Sequence, residues 1–319
     1  NIEVDGKLTK DSFEGSLLVD DEHIALDFNG LVDFGQTLPR FRFTAAIQKA
    51  HLYELNLERS DETQIICSTI SVDGIGSNVD NFNGTIVARD LSYYVKGKDY
   101  FFDSIHVVST LDSASHALSV YSNFIDLSID GSFSMQELPD AFHALASEIL
   151  PSVFEPSDDL FLIEEDFSFF VDIKDLSFIT SLFLKDLQVA PNTQLNGLYE
   201  TGRQDLSLNI NSDWIKYKDY RLNDIHLETD KFSNLYEFAV VAKRFDINDS
   251  VHMDNLRLIT ALFSDNVRAG LSWQADDSSN SGDINWDGYW LARDQFQLSL
   301  NTSTINIGEE VWNIYDKAE

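Results

Sequence analysis

Residues that could perform chemistry are numerous in this chain, but the spacings that catalysis requires are missing. The serines form no Gly-x-Ser-x-Gly elbow, and the seven histidines form neither a His-Glu-x-x-His motif nor a paired zinc spacing. Gly74-Ile75-Gly76 lacks the third glycine of a dinucleotide-binding loop. Carboxylates are so abundant that no pair is marked for acid–base work. We therefore expect no catalytic residue, no cofactor and no enzymatic activity.

One stretch has the ligand spacing of a calcium loop. Asp283-Ile284-Asn285-Trp286-Asp287-Gly288 matches its first half, and Asp294 stands at its twelfth position. The flanking residues are strand-like rather than helical, and an aspartate stands where a bidentate glutamate is usual. A hairpin turn at Asp287-Gly288 is the preferred interpretation. We expect no metal site, although calcium at 283–294 is left open.

The charge balance argues against two classes of partner. The 319 residues include 54 acidic and 22 basic ones, which gives a net charge of −32. Phosphate binding needs clustered Lys and Arg, so we expect no nucleic acid and no electrostatic docking on anionic headgroups. Hydrophobic residues make up 43% of the chain, enough for a sizeable core. Cys67 is the single cysteine; its apolar neighbours predict a packed thiol and leave the redox compartment open.

Apolar and polar residues alternate along most of the chain. Runs with this period lie at 24–29, 41–47, 167–173, 206–210, 267–273 and 296–300. A period of two is typical of strands with one apolar and one polar face. Asp-Gly or Asn-Gly pairs at 5–6, 29–30, 73–74, 83–84, 130–131, 196–197 and 287–288 are interpreted as tight hairpin turns. The sequence therefore predicts an all-β antiparallel meander of many strands. A closed, packed sandwich and an open channel are both compatible with its single apolar face.

In an open channel, the apolar residues of these strands are the predicted lining of a hydrophobic groove. This set comprises Ile24, Leu26, Phe28, Phe41, Phe43, Ile47, Ile105, Val107, Leu118, Val120, Phe167, Phe169, Val171, Leu206, Leu208, Ile210, Phe238, Val240, Leu271, Trp273, Phe296 and Leu298. Where the alternation slips, around 176–189, the sequence does not determine which face points inward.

One segment departs from the strand period. Apolar residues recur there at spacings of three and four: Leu138, Phe142, Leu145, Ile149 and Leu150. This spacing predicts an amphipathic helix near 136–150. Ser134 and Glu137 have the spacing of a capping box, and Pro139 suits a first helical turn. We expect the helix to cover part of the apolar sheet face; a lid or plug over the groove is the alternative.

The expected organisation has three parts. A β-groove segment spans 1–134, the helix and a connector span 135–155, and a second β-groove segment over 156–319 continues the same sheet. Both ends are strand-like and no initiator Met is present, so the chain is interpreted as a fragment of a longer protein. Lys98-Asp99-Tyr100 with Ile105-His106 returns as Lys218-Asp219-Tyr220 with Ile225-His226, which indicates a repeated β-unit.

A succession of short stretches carries a family resemblance. They include Gly6-Lys7-Leu8-Thr9, Phe13-Glu14-Gly15-Ser16-Leu17, Ile24-Ala25-Leu26-Asp27-Phe28-Asn29-Gly30, Phe41-Arg42-Phe43-Thr44-Ala45, Ala50-His51-Leu52-Tyr53-Glu54-Leu55-Asn56-Leu57, Asn83-Gly84-Thr85-Ile86, Leu91-Ser92-Tyr93, Phe102-Asp103-Ser104-Ile105 and Gly131-Ser132-Phe133-Ser134. Together they resemble the TamB branch of the AsmA-like superfamily, in its Bacteroidota form. The resemblance covers most of residues 1–150 and thins beyond them.

The resemblance implies a fold, an all-β, elongated, antiparallel open half-pipe, and with it a location and a function. Members of that family are long open β-half-pipes, anchored in the inner membrane, that cross the periplasm and meet a BamA-like outer-membrane barrel near their C-terminal end. It implies that the groove conducts phospholipid acyl chains between the two membranes and supports outer-membrane biogenesis. The family supplies no catalytic residues. The acidic excess and the helix are not matched to it.

Two other functions are open on the sequence alone. All five tryptophans lie within 214–312, and exposed aromatic rings can stack on sugars, which motivates a carbohydrate-binding or adhesive β-domain. Packing of those tryptophans on the inner face is the simpler interpretation. A passive scaffold for outer-membrane protein assembly is the other alternative.

Overall fold

The structure is a computed structural model, and it describes residues 1–57, 65–95, 97–113, 115–155, 165–178, 180, 184–203, 205–232, 234–248, 251–276 and 280–314. Strands dominate these residues and pair antiparallel in an open sheet, and an α-helix is present. This confirms the predicted all-β class and the helix, and is consistent with a half-pipe. The chain divides into two compact units, Asn1–Asp130 (unit 1) and Gly131–Glu319 (unit 2).

Unit 1 is an antiparallel meander. Its strands are β1 (Ile2–Leu8), β2 (Ser12–Asp20), β3 (Ile24–Asp33), β4 (Arg40–His51), β5 (Ile65–Ile75), β6 (Asn83–Val95), β7 (Lys98–Leu111), β8 (His116–Ser122) and β9 (Ile125–Ser132), whose last residues belong to unit 2. From β1 to β8 each strand pairs with the next one along the chain.

Unit 2 continues with helix α1 (Leu138–Ile149) and twelve described strands. These are β10 (Asp166–Ile173), β11 (Leu187–Val189), β12 (Thr193–Glu200), β13 (Asp205–Tyr217), β14 (Tyr220–Phe232), β15 (Leu235–Asp246), β16 (His252–Phe263), β17 (Asn266–Gln274), β18 (Asn280–Ala292), β19 (Gln295–Leu300), β20 (Ser303–Ile307) and β21 (Glu310–Ile314). Strand β10 pairs with β12, β11 and β12 share β13, and β18 pairs with both β19 and β20. The other pairs follow chain order.

The Asp-Gly and Asn-Gly dipeptides that were predicted to form hairpin turns lie inside strands, so that prediction is wrong. They fall in β1, β3, β5, β6, β9, β12 and β18. Glycine is needed there because a neighbouring group occupies the place of a side chain. At Gly30, where φ is +146°, a Cβ would lie under 3.0 Å from the Arg42 carbonyl and Phe43. At Gly197 it would lie 2.6 Å from the Phe169 ring of the adjacent strand.

A hairpin turn is made elsewhere without glycine. Between β16 and β17 the turn residues Ser264 and Asp265 have φ values of 43° and 68°. Positive φ at two successive positions matches the right-handed twist of the flanking strands, and aspartate tolerates that conformation. The sequence pattern missed this turn because it looked for glycine.

Helix α1 confirms the predicted helix but not its cap. Pro139 lies in the first turn, as expected. Glu137 is the N-cap in a helical conformation and makes no side-chain cap hydrogen bond, so the predicted capping box is wrong. The backbone N–H of Ser134 instead donates to both carboxylate oxygens of Glu165, each at 3.0 Å. The Glu165 carboxylate therefore fixes the backbone just before α1 through charge-assisted hydrogen bonds.

Replacing Gly30 with alanine should destabilise unit 1. A side chain there meets a neighbouring backbone in a conformation that L-residues rarely adopt, so we expect the free energy of unfolding to fall by about 2–4 kcal/mol. Urea denaturation measures this. Gly202→Ala is the matched control, because nothing lies within 4 Å of a Cβ there. An equal loss in both variants would contradict the close-approach explanation.

Candidate functional site

The candidate site in unit 2 is an aliphatic ladder that crosses eight strands. Residues that lie directly opposite each other on paired strands share a face of the sheet. A chain of such pairs links one residue from each of β10, β12, β13, β14, β15, β16, β17 and β18. In order they are Val171, Leu195, Ile210, Leu227, Val240, Leu258, Leu271 and Ile284. At a strand spacing of about 4.8 Å the ladder runs roughly 34 Å across the strands.

Unit 1 has an equivalent apolar face. One ladder from β1 to β7 joins Val4, Leu17, Phe28, Ala45, Ile70, Ala88 and Ile105. The neighbouring ladder continues through Phe43, Val72, Ile86, Val107 and Val120. Phenylalanine rings pack across it, with centroids 5.1 Å apart for Phe28 and Phe43. The apolar face of each unit is called its trough below.

The register places the predicted lining residues in these two troughs, those up to Val120 in unit 1 and the rest in unit 2. Phe167 and Trp273 are buried, at 3% and 6% exposure, whereas Phe296 and Leu298 are 42% and 50% exposed. The others are half-buried. A second sheet packed on this face would bury most of them. The observed burial therefore describes an apolar surface that is only partly covered.

Hydroxyl groups in the troughs are satisfied by the protein itself. Ser109 donates to the Phe82 carbonyl at 2.6 Å, and Thr193 donates to the Ala190 carbonyl at 2.8 Å. The hydroxyls of Thr193 and Ser212 lie 2.7 Å apart. Buried hydroxyl groups that already donate to acceptors in the protein need no hydrogen-bond acceptor from a ligand. These positions are therefore compatible with an apolar occupant.

The faces opposite the troughs, called the polar faces below, carry exposed ion pairs alongside exposed apolar side chains such as Leu198 and Val241. In unit 1 Arg42 lies 3.6 Å from Asp73, and in unit 2 Arg268 donates to Asp287 at 2.8 Å. Concavities of about 520 and 540 Å³ lie beside these pairs and are lined mainly by polar-face residues. Exposed pairs of this kind contribute little stability and keep the face hydrated. The troughs, by contrast, are open surfaces.

Helix α1 lies against the unit 2 trough at one end of its strands. Tyr199 donates its hydroxyl to the Ala141 carbonyl at 3.0 Å, and its ring lies 5.6 Å from that of Phe142. Ala141 and Leu145 are buried, while Phe142 is 41% exposed. Of the predicted apolar face, Leu145 is buried, Leu138, Ile149 and Leu150 are half-buried, and Phe142 is exposed; Ala141, which the prediction omitted, is buried where Tyr199 reaches the helix backbone.

A polar triad joins the other end of α1 to the trough. Lys231 donates to the Tyr236 hydroxyl at 2.6 Å, and Tyr236 donates to Glu148 at 3.3 Å. The Lys231 ammonium lies 3.8 Å from Glu148 and 4.5 Å from the centre of the Tyr236 ring. Burial first, and then the Glu148 carboxylate, raise the pKa of Tyr236 above its usual value. The phenol therefore stays protonated and links the two charges.

A buried histidine lies at the edge of the unit 1 trough. His116 is 3% exposed, and its Nε2 lies 2.8 Å from the Ser109 hydroxyl. Because Ser109 donates to the Phe82 carbonyl, it accepts its second hydrogen bond from Nε2–H. Burial lowers the pKa of His116 from 6.5, and Asp80 partly opposes this. The imidazole is therefore held neutral.

The calcium-like stretch is an extended strand. Residues 283–288 lie within β18, so neither a calcium loop nor the hairpin turn expected at Asp287-Gly288 forms there. Asp287 already accepts hydrogen bonds from Arg268 and Asn301, and these lower its pKa. Across the described ranges no group of three or more His, Cys, Asp or Glu could hold a metal ion.

Three tryptophans contribute to the unit 2 trough. Trp273 pairs with Gly282 and covers it, Trp286 pairs with Ala269, and Trp290 packs on Phe296 with centroids 4.5 Å apart. These rings lie among aliphatic side chains rather than on the polar face. Trp312, in β21, is 64% exposed.

The prediction omitted several residues of the ladders. Val72, Leu258 and Ile284 lie on alternating strands, so the period of two could have found them. Leu195 precedes the Asn-Gly pair that was interpreted as a turn, which hid its strand. No local pattern could have found the triad, since Tyr236 and Glu148 are 88 residues apart in the chain.

No family model, curated protein or solved structure matches the chain. Within the part of the chain that the structure describes, no helix is long and apolar enough to cross a membrane.

Removing Glu148 should destabilise unit 2 more than removing another acidic residue nearby. Glu148→Ala leaves the Lys231 ammonium, which is 7% exposed, without its carboxylate. We expect a loss of roughly 2–3 kcal/mol in the free energy of unfolding, measured by urea denaturation. The exposed Glu155→Gln control should change it by less than about 0.5 kcal/mol. The double variant Glu148→Leu with Lys231→Met should recover most of the loss, and a simple sum of two losses would argue against the triad.

Unit 1 should become less stable as the pH falls through 6.5. The folded pKa of His116 is lowered, so below 6.5 the unfolded chain binds the proton that the folded chain excludes. His116→Gln should flatten this pH dependence of the urea midpoint between about pH 5 and 8. The control His106→Gln, at an exposed position on the polar face of β7, should keep it. An unchanged slope in His116→Gln would show that other groups cause the dependence.

Proposed function

We propose that this chain binds lipid acyl chains along its troughs and is a non-enzymatic, lipid-conducting segment of a larger protein. The observation that supports this most directly is the continuous aliphatic ladder across eight strands of unit 2, which remains half-buried. A surface of this size and chemistry needs an apolar partner. An acyl chain is flexible enough to follow it and requires no convergent polar groups.

The energetics favour such an occupant. Moving one methylene from water to an apolar surface contributes about 0.8 kcal/mol, so a chain of about sixteen carbons gains roughly 10 kcal/mol before ordering costs. The glycine row formed by Gly6, Gly15 and Gly30 leaves part of the unit 1 trough without side chains. Because hydroxyls in the troughs bond to the protein, a sliding chain meets few polar obstacles.

The cellular role in this proposal comes from the resemblance to the TamB branch. The segment would belong to an inner-membrane-anchored protein that spans the periplasm, reaches a BamA-like outer-membrane barrel and carries phospholipid between the membranes. The polar, acidic outer faces suit a protein surrounded by water along its length. A carbohydrate-binding domain is less well supported, because Trp273, Trp286 and Trp290 lie in the trough.

A charge placed in the unit 1 trough should block lipid binding. The probe is a benzoyl-phenylalanine at Phe43, which crosslinks a bound acyl chain on illumination. Val72, its direct partner, is changed to aspartate. We expect labelling by phospholipid in vesicles to fall about tenfold, equivalent to about 1.4 kcal/mol, because a carboxylate desolvates poorly.

The matched control for this experiment is Ser71→Asp, on the polar face of the same strand. Its labelling should equal that of the parent, and circular dichroism should show that both variants are folded. Equal labelling in Val72→Asp and the parent, or no labelling of the parent, would contradict acyl binding. Either result would favour a passive scaffold.

A further inference from the structure

Helix α1 covers one margin of the unit 2 trough. Tyr199 and Tyr236, which both contact the helix, are each only 3% exposed, whereas the residues of the aliphatic ladder are half-buried. Register continues this margin from Phe167 through Tyr199 to Leu206. The helix thus occupies apolar surface that is continuous with the rest of the trough.

The contact between α1 and the trough combines a small apolar surface with several hydrogen bonds. Only Ala141, Leu145 and Ser147 of the helix are buried. At one end the Phe142 ring also lies against Tyr199, which donates to the Ala141 carbonyl. At the other end the triad of Glu148, Tyr236 and Lys231 attaches the helix through hydrogen bonds. Hydrogen bonds exchange readily for bonds to water, whereas a large apolar contact does not.

A polar latch holds the segment that follows α1. Asp265, in the β16–β17 turn, accepts from the backbone N–H and the hydroxyl of Ser152 at 2.9 and 2.8 Å. The Asp265 N–H donates to the Ile149 carbonyl at 3.0 Å. All three bonds join the end of the helix to one turn. Releasing that turn would free this end of α1.

We propose that α1 is a displaceable plug that occupies part of the unit 2 trough in place of an acyl chain. The inference rests on the proposed function, since it concerns the same apolar face. Helix and acyl chain compete for the surface formed by Tyr199 and Tyr236, and Leu206 lies beside it as the direct partner of Tyr199. A ligand that binds only when α1 is released shifts the population towards the released form, and locking α1 in place weakens binding there.

A reversible disulfide tests the plug. The variant carries Ser152→Cys and Asp265→Cys, with Cys67→Ala to remove the native thiol. Benzoyl-phenylalanine at Leu206 reports binding beside α1, and the same probe at Phe43 in unit 1 is the internal reference. With phospholipid vesicles we expect oxidation to lower labelling at Leu206 by roughly fivefold or more, and reduction to restore it. Labelling at Phe43 should not change.

The outcomes separate this inference from the proposed function. Equal labelling at Leu206 in the oxidised and reduced forms, with Phe43 labelled, overturns the plug and leaves acyl binding intact. Absence of labelling at both sites overturns the proposed function. If the disulfide does not form, Ser152→Ala combined with Glu148→Gln weakens the latch and the triad instead, since it removes the hydroxyl bond to Asp265 and the Glu148 charge. Labelling at Leu206 should then rise relative to Phe43, and an unchanged ratio overturns the plug.

Discussion

The constant register between neighbouring strands is the constraint on which the rest of the structure depends. Side chains alternate between faces with a period of two, so a slip of one residue at any pair would move every apolar residue beyond it to the polar face. Across β12 to β18 the pairing keeps Leu195, Ile210 and Leu227 in line with their partners. In unit 1 the bulge between Ile47 and Ala50 absorbs an irregularity without interrupting the trough.

An apolar face of this extent must be reconciled with water. The structure uses three means: aromatic rings cover glycines, as Phe169 covers Gly197; hydroxyls such as Thr193 bond within the chain; and α1 covers a margin in unit 2. The remainder stays half-buried, which leaves an energetic reason to bind an apolar ligand. The acidic excess on the opposite faces opposes association between sheet edges and surfaces.

Local sequence patterns predicted some features of this fold and missed others. Alternation in 206–210 and 267–273 was enough to find strands and their inward faces, because the period is local. The turn predictions were wrong because Gly30 and Gly197 are required by close contact with a neighbouring strand. No local sequence pattern reveals such a contact. The triad of Glu148, Tyr236 and Lys231 depends on distant parts of the chain meeting. Ile105 and Ile225, which occupy matching positions of the predicted repeat, both face a trough.

The central claim is that the troughs hold lipid. Mass spectrometry of lipids retained by the folded chain after gentle purification tests it most directly. We predict diacyl phospholipids bound to the parent, and fewer of them bound when aspartate replaces Val240 at the centre of the unit 2 ladder. A folded parent that carries no lipid and takes up none from vesicles would contradict the account.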